Sequence, residues 1–591
     1  MNCLTFHYDP ARLGQGPGAS SAAVWGKHVA VDLGSAVRGA VLCLSGWTFP
    51  YGPRAGQTHD VVFVATSDNH VYAYAVDELT VGAAPIWSHF LGPPVTRGDS
   101  NIPPPIGVCS TPVLDPAHQR MFIMSCQAVS GIGGYFAIAL NINTGQPIQS
   151  ARLNDLGAAG RPTFDGNTVD QRGALNLVNG RVVSTYADFL GRDLGPYHGW
   201  VVSCNANNLN DQWYCSITKS VLGGGCWGPG GAAAGPDGSL YIGTGNAPTA
   251  DDTYWSNLPA GKHPGDIGDF FEGVVKVGAT GQGISVVDWY QPTNARLQNA
   301  ADLDFGSSSP IVLPPIGGRQ LVAISTKFGI YLLDGTRLGH WGGELWKAEG
   351  DINTGTGFFP QESHSAPAHY LTPSGDHLLY FVGGGLPGLI AYKVVLTGQT
   401  ASLQEVWRAN RRGIAVGNTH GSPTIGAVAS PGFALVWIVD ADEGADHGVL
   451  RAFNALDGTE VYNSGAVAAD DLGIVPHYPP ITCASGGVFV GTARGFAYYA
   501  LVDPCRAEVE KVNELQKELD NEQDAFASGD IPRPRTQENI ARVKAEIAKL
   551  VRELDAAQNA LDKCRARHDP PLPSPDPPRR RRTPSRPHRH A

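Results

Sequence analysis

Residues 61–92, VVFVATSDNHVYAYAVDELTVGAAPIWSHFLG, decide how this chain is read. Apolar and small residues alternate over 61–65 and again over 70–75, which predicts two strands joined by a turn at Ser67-Asp68-Asn69. A second turn around Gly82 leads to an outer strand that carries Trp87 and ends at Leu91-Gly92. The same wording returns elsewhere. VAISTKFGIYLLDGTRLGHWGGELWKAEG (322–350) repeats strand, turn, strand and Trp, and VFVGTARGFAYYALV (488–502) repeats the first half. Weaker copies begin near Ser110, Gly173, Gly230, Ser309, Ser365 and Ser422, most of them with a small residue before an apolar strand. A spacing of roughly 45 to 60 residues fits four-stranded propeller blades with loop insertions.

Seven units are complete, and the last, 474–502, lacks its outer Trp strand. That strand stands at the other end as VWGKHVAVDLG (24–34), which has the Trp, the alternation and the Leu-Gly but no first half of its own. Pairing the two closes the ring and removes an exposed sheet edge. The prediction is an all-β, eight-bladed propeller over residues 1–502. Seven blades is the alternative count, because insertions stretch the third and fourth units. Seventy-four Gly and 44 Pro among 591 residues suit many short strands joined by tight turns.

After Val502 the composition turns to Glu, Lys, Ala and Leu. Asp503-Pro504 is a helix start, and apolar residues follow at 512, 515, 519 and 526. Beyond SGDIPRPR, Ile540, Val543, Ile547, Leu550, Leu554, Ala557 and Leu561 keep a three-four spacing. Residues 503–568 are therefore expected to form an antiparallel coiled-coil hairpin. Folding it brings Cys505 and Cys564 to its base, either as a disulfide worth about 4 kcal/mol or as two small seam residues. Residues 569–591, DPPLPSPDPPRRRRTPSRPHRHA, have a disordered composition, and the basic run Arg579 to Arg582 fits an acidic partner, weak contact with nucleic acid, anionic lipid or simple solvation.

A net charge of −11 argues against a general nucleic-acid binder. Residues 1–14 show no basic n-region followed by an apolar run, and no 18-residue apolar window exists. Cys109 with Cys126 and Cys204 with Cys215 stand where hairpin strands would set them side by side, as disulfides or as free thiols. No Gly-x-Ser-x-Gly elbow, phosphate loop or His-Glu-x-x-His occurs, so hydrolase and nucleotide-dependent readings are weak. His364, His369 and His420 lie at blade starts, where they could share a channel mouth with Asp188, Arg192 and His198. Solvated or hydrogen-bonded loop histidines are the simpler expectation.

The repeat, with its alternation, Thr/Ser-x-x-Gly turn and outer Trp, resembles that of pyrroloquinoline quinone (PQQ) proteins over about 500 residues. FHYDPARLGQ (6–15), THDVVFVATSDNHVYAY (58–74), YHGW (197–200) and NAADLDFGSSSPIVL (299–313) resemble quinoprotein-like propellers that are usually exported and whose activity is generally not established. The resemblance to quinoprotein alcohol dehydrogenases implies a set of site residues. CWGPGGAAAGPDGSLYIGTGNAP (226–248) supplies Trp227 to lie against the cofactor plane and Asn246 as a metal ligand. DWYQPTNARLQNAADLDFG (288–306) puts Asp302 at the catalytic-base position and Asp304 at the extra-ligand position of lanthanide-dependent members. Lys327 in TKFGIYLLD would contact the quinone, and Asp188 in YADFLGRD loosely matches a carboxylate ligand. The chain departs from that pattern in having no adjacent Cys-Cys pair and in placing Ala301 where those enzymes carry a Trp.

The resemblance thus implies PQQ with Ca²⁺ or a lanthanide and an alcohol or sugar substrate. The alternative is a non-catalytic propeller that binds protein or glycan at its channel mouth and self-associates through the hairpin. A third, weaker reading is a component of a larger particle. Compartment stays open, with the cysteines and the resemblance leaning extracytoplasmic.

Overall fold

The computed structural model describes all residues except 1, 17–24, 97, 99–101, 130–131, 155–161, 189–194, 282, 351–361, 385–387, 399, 410–419, 428–433, 442–446, 502–505, 529–536 and 569–591. It divides into two compact units, Met1–Leu501 and Val502–Ala591. In the first, the described residues form eight sheets of four or five strands, which are the eight blades: blade 1 over 42–90, blade 2 over 113–152, blade 3 over 169–216, blade 4 over 233–291, blade 5 over 311–349, blade 6 over 368–408, blade 7 over 424–463 and blade 8 over 481–501 with 25–32. Blade 1 runs outward through Leu42–Thr48, Thr58–Ala65, His70–Ala75 and Trp87–Phe90, so the 61–92 stretch contributes its three outer strands. The Thr58–Ala65 strand is buried on both faces from Val61 onward, because each blade is packed against a neighbour on either side. Hydrophobic clusters accordingly lie between consecutive blades, such as Tyr241, Tyr331 and Leu333 between blades 4 and 5.

The recurring Trp has a physical reason. Trp87 donates its indole N–H to Ile142 O of the next blade at 2.9 Å, and Trp407 does the same to Ala455 O at 2.8 Å. Each ring lies over a glycine of that next blade. A Cβ on Gly145 would come within 2.4 Å of Trp87, and one on Gly458 within 2.5 Å of Trp407. The Trp and the glycine turn are thus two halves of one inter-blade joint.

Closure follows the sequence. Trp25–Asp32 pairs antiparallel with Gly495–Leu501, from Trp25 opposite Leu501 to Asp32 opposite Gly495. Blade 8 therefore takes its outer strand from the N-terminal end of the unit and its other three from 481–501.

The axis is filled by residues 3–16. Cys3 exchanges two backbone hydrogen bonds with Cys43 of blade 1, and Leu4 O accepts from Leu114 N of blade 2 at 2.8 Å. Thr5 Oγ1 donates to Leu175 O of blade 3 at 2.6 Å. Pro10, Ala11, Leu13 and Gly14 carbonyls accept from Ala234, Val312, His369 and Ile425 in blades 4, 5, 6 and 7. The Tyr8 hydroxyl bridges Cys483 N and O in blade 8. This strap thus bonds to all eight blades, and the axial channel expected from a propeller ring is plugged.

Two other expectations change. Cys204 stands opposite Gln212 and Cys215 opposite Val201, with a register shift beside Cys204. Their side chains fall on opposite faces of blade 3, in two different hydrophobic clusters, so they are not side by side. Cys109 and Cys126 are both buried and share one cluster. Cys505 and the Cys564 side chain fall outside the described residues, as does the 569–591 tail.

In the second unit, helices Arg506–Ser528 and Gln537–His568 bury Leu515, Leu519 and Leu550, with Ile547, Leu554 and Ala557 packed around them. No helix among the described residues is long and apolar enough to cross a membrane.

Candidate functional site

A cavity of about 360 Å³ lies where the starts of the inner strands converge. Arg38, Cys109, Arg172, Trp227 and His364 line it from blades 1, 2, 3, 4 and 6, each standing just before the small residue that opens the inner strand. Tyr478 enters from blade 8. A second tier comes from the inner turns. Asp188 ends the Arg181–Asp188 strand of blade 3, Asn246 follows Leu240–Thr244 of blade 4, and Lys327 follows Leu321–Ser325 of blade 5. Asp302 and Asp304 reach the same cavity from the loop after helix Ala295–Ala300, between blades 4 and 5. The structure therefore brings Trp227, Asn246, Asp302, Asp304, Lys327 and Asp188 around one space.

The aromatic wall is cationic. The Arg172 guanidinium sits 4.2 Å from the centroid of the Tyr478 ring and 5.2 Å from that of Trp227, and donates to Trp227 O at 3.1 Å. His364 stacks on Tyr478 at 4.7 Å and lies 5.5 Å from Trp227. Arg172 Nη2, Arg38 Nε and His364 Nδ1 are buried without a hydrogen-bond partner among the described residues. Burial lowers the Arg172 guanidinium to about 10. Burial, with Lys327, His420 and Arg172 nearby, keeps His364 neutral, well below the usual imidazole range.

The opposite corner is acidic. The Lys327 ammonium bridges Asp304 at 2.7 Å and Asp302 at 3.0 Å, and Asn246 also donates to Asp302. Burial opposes the charge on Lys327, but the two carboxylates more than overcome it and hold the ammonium above the ordinary lysine range. Asp302 adopts φ 56°, a left-handed conformation that Asp tolerates, and its side chain is 70% exposed, while that of Asp304 is 2% exposed. Behind them stands Glu272, fully buried, with neither oxygen in a well-formed hydrogen bond among the described residues. Burial, then the charge of Asp304, push its carboxyl well above the usual range. Asp304 is raised as well, by burial, with Lys327 opposing.

Of the two simple expectations for these histidines, solvated or hydrogen-bonded, the second holds for His369 and for the half-buried His198. His369 is buried with Nε2 2.9 Å from His377 Nδ1, His420 is fully buried, and His198 Nδ1 meets Thr218 Oγ1 at 2.8 Å. Only His364 of these four lines the cavity, and Arg192 lies outside the described residues. Arg38, Arg172, Glu272 and Tyr478 were not singled out from sequence. The two arginines carried a readable signal, since Arg38-Gly39-Ala40 and Arg172-Gly173-Ala174 repeat one tripeptide at equivalent strand starts. Glu272 and Tyr478 carried none.

Comparison with solved structures finds the same propeller in quinoprotein dehydrogenases. Quinohemoprotein alcohol dehydrogenase ADHIIG from Pseudomonas putida HK5 is 14% identical with a TM-score of 0.53, over 85% of this chain and 80% of that one. Quinohemoprotein alcohol dehydrogenase from Comamonas testosteroni is 13% identical with a TM-score of 0.53, over 84% and 80%. A europium-containing methanol dehydrogenase is 13% identical with a TM-score of 0.55, over 85% and 98%. No family model matches the sequence, and no curated protein does. At these identities the likeness establishes the quinoprotein-type eight-bladed fold.

The residues present fit both groups such a fold implies. A planar polycarboxylate needs an aromatic face and donors for its carboxylates, and the Trp227 wall offers Arg38 and Arg172 N–H groups and a His364 ring nitrogen that have no partner among the described residues. A hard cation needs oxygen donors, and the corner holds Asp302, Asp304 and Asn246, with Glu272 and Asp304 Oδ1 lacking well-formed partners among the described residues. Lys327 already stands there as a positive charge. Among the described residues no three carboxylate, imidazole or thiolate groups close on one point as they stand.

Proposed function

We propose that this propeller is a quinoprotein oxidoreductase that takes PQQ in the axial cavity and oxidises an alcohol or sugar hydroxyl. The observation that carries this reading is the pairing, in one cavity, of the Trp227 face with buried arginine N–H groups that have no partner among the described residues. A tricarboxylate aromatic satisfies both at once.

PQQ, when bound, supplies the two-electron acceptor. Arg38 and Arg172 would hold its carboxylates and Trp227 would support the ring. Lys327, charged and fixed between Asp302 and Asp304, would supply a positive charge to the quinone. Asp302, the exposed carboxylate of the corner, accepts the hydroxyl proton of the substrate. Asn246, Asp304 and Asp188 would hold a Ca²⁺ or lanthanide ion, with Glu272 adding charge behind them. A methanol dehydrogenase of the same fold contains europium, which supports including a metal ion in this reading.

The test is an absorption spectrum of the purified protein with and without added PQQ, followed by dye reduction with an alcohol panel. Asp302→Asn should keep the bound spectrum and lose dye reduction by about a thousandfold. Full activity in that variant would remove Asp302 from the chemistry, and failure to retain PQQ under any metal would remove the whole reading.

A second reading is favoured by one observation, the two-helix unit Val502–Ala591, which this chemistry does not use. On that reading the propeller is a binding platform and the helices associate it with a partner or a second copy. Deleting 503–591 separates the two, since an enzyme keeps turnover and a scaffold loses association.

A further inference from the structure

We infer that Phe6, on the N-terminal strap, is the positioning residue of the axial cavity, setting from below the spacing of the four blades that carry its cationic and aromatic wall. The inference rests on the cavity being a ligand site, as proposed above, and adds a residue from outside that site.

Phe6 is 2% exposed and packs against Ala40, Ala174 and Ala366, from blades 1, 3 and 6. Each alanine stands two residues after a cavity side chain, namely Arg38, Arg172 and His364. The fourth blade is met at Gly230, three residues after Trp227, where a Cβ would come within 3.3 Å of Phe6 Cε1. The blade residues named here are three alanines and a glycine, small enough for the four blades to close onto the single ring. The ring is held in turn. It stacks on His7 at 4.2 Å and 17°, and the Phe6 carbonyl accepts from Arg12 Nη1 at 3.1 Å. Arg12 Nη2 binds Ala174 and Leu175 carbonyls of blade 3, which ties the strap to the strand bearing Arg172.

Binding sites need their groups held within about 0.5 Å, and a truncated core aromatic leaves a void that its lining only partly fills. Phe6→Ala should therefore loosen Arg38, Arg172, Trp227 and His364 together, although Phe6 does not itself line the cavity. A side chain that served stability alone would not do this.

The experiment compares Phe6→Ala, Phe6→Leu and Leu450→Ala in the full chain. Leu450 is fully buried in the third strand of blade 7, so its truncation costs stability away from the axis. Two readouts are taken, PQQ affinity by absorption titration and the phenylglyoxal modification rates of Arg38 and Arg172 mapped by peptide mass spectrometry. Phe6→Ala should weaken PQQ binding by about tenfold and change both arginine rates by a similar factor, with Phe6→Leu recovering most of each. Leu450→Ala should leave both near wild type. If wild type does not bind PQQ, the proposed activity falls, while the arginine rates still decide the role of Phe6. Equal rates in wild type and Phe6→Ala, or equal changes in Phe6→Ala and Leu450→Ala, overturn it.

Discussion

Two arginines are buried close to the propeller axis, and they are opposite in kind. Arg12, on the strap, is fully buried and donates to Thr5 Oγ1, Phe6 O, Ala174 O and Leu175 O at 2.8 to 3.2 Å. Arg172, on the cavity wall, donates to Trp227 O and lies against two aromatic rings, with Nη2 lacking a partner among the described residues. Burial lowers both guanidiniums, to about 9 for Arg12 and about 10 for Arg172. Neither is near its ordinary value, so the shift alone does not tell them apart. The hydrogen bonds do. A guanidinium whose donors are mostly used is holding backbone together, while one with donors to spare is prepared for something that arrives later.

The comparison breaks most directly at Arg12. Arg12→Ala leaves four acceptors in the strap and blade 3 without their donor, and should cost about 4 kcal/mol of stability, seen as a lower urea midpoint. A loss under about 1 kcal/mol would mean that the strap is not held this way. Arg172→Ala should do the reverse. It removes one protein hydrogen bond and a desolvated charge, so stability should barely change, while PQQ affinity falls by about a hundredfold. Equal destabilisation by the two variants would erase the distinction.

Lys327 sharpens the contrast from the acidic side, because it is the charge that already satisfies Asp302 and Asp304. Lys327→Met should leave those carboxylates to an added cation and tighten Tb³⁺ binding by about tenfold. Trp227, whose ring centroid is 5.7 Å from the present ammonium, provides the sensitised luminescence that reads it. Unchanged Tb³⁺ affinity would show that the corner is built for an ammonium and not for a metal.

The strap and the cavity also differ in how far the sequence exposed them. The blades were legible because the Trp joint forces a repeat, in which Trp87 requires Gly145 and Trp407 requires Gly458. The closing strand was legible because VWGKHVAVDLG had half a repeat and needed the other half. FHYDPARLGQ has no periodicity to read, since its carbonyls meet a different blade every residue or two and backbone hydrogen bonds leave no mark on side-chain choice. Cys204 and Cys215 were misplaced for a different reason, as the hairpin turns at 205–208, immediately after Cys204, which sets Cys204 opposite Gln212 and Cys215 opposite Val201. Of the cavity residues, those named from sequence came by resemblance to turn motifs. The wall that follows the eightfold layout, above all Arg38 and Arg172, needed the ring to be closed before two Arg-Gly-Ala tripeptides could be seen to face one space.

The last expected effect concerns pH and again separates strap from wall. Burial lowers His7 to about 3 from its ordinary 6.5, with the Arg12 carbonyl at 3.1 Å from Nδ1 only partly offsetting it. The unfolded chain thus binds this proton more tightly than the folded one. Its contribution is fully present above pH 6.5 and is lost as pH falls toward 3, at about 1.4 kcal/mol per pH unit. His369, lowered to about 3 by burial and by the neighbouring His377, adds a second loss of the same sign. His7→Asn removes only the first, so the drop in urea midpoint between pH 7 and pH 4.5 should shrink without disappearing. Because His7 stacks on Phe6, protonation at this position acts on the residue that spaces the cavity wall, and PQQ affinity in the wild type should weaken over the same pH interval more than in His7→Asn. An acid response identical in both proteins would place the pH-sensitive step elsewhere on the axis, with His369 and His364 the remaining buried imidazoles on blade 6.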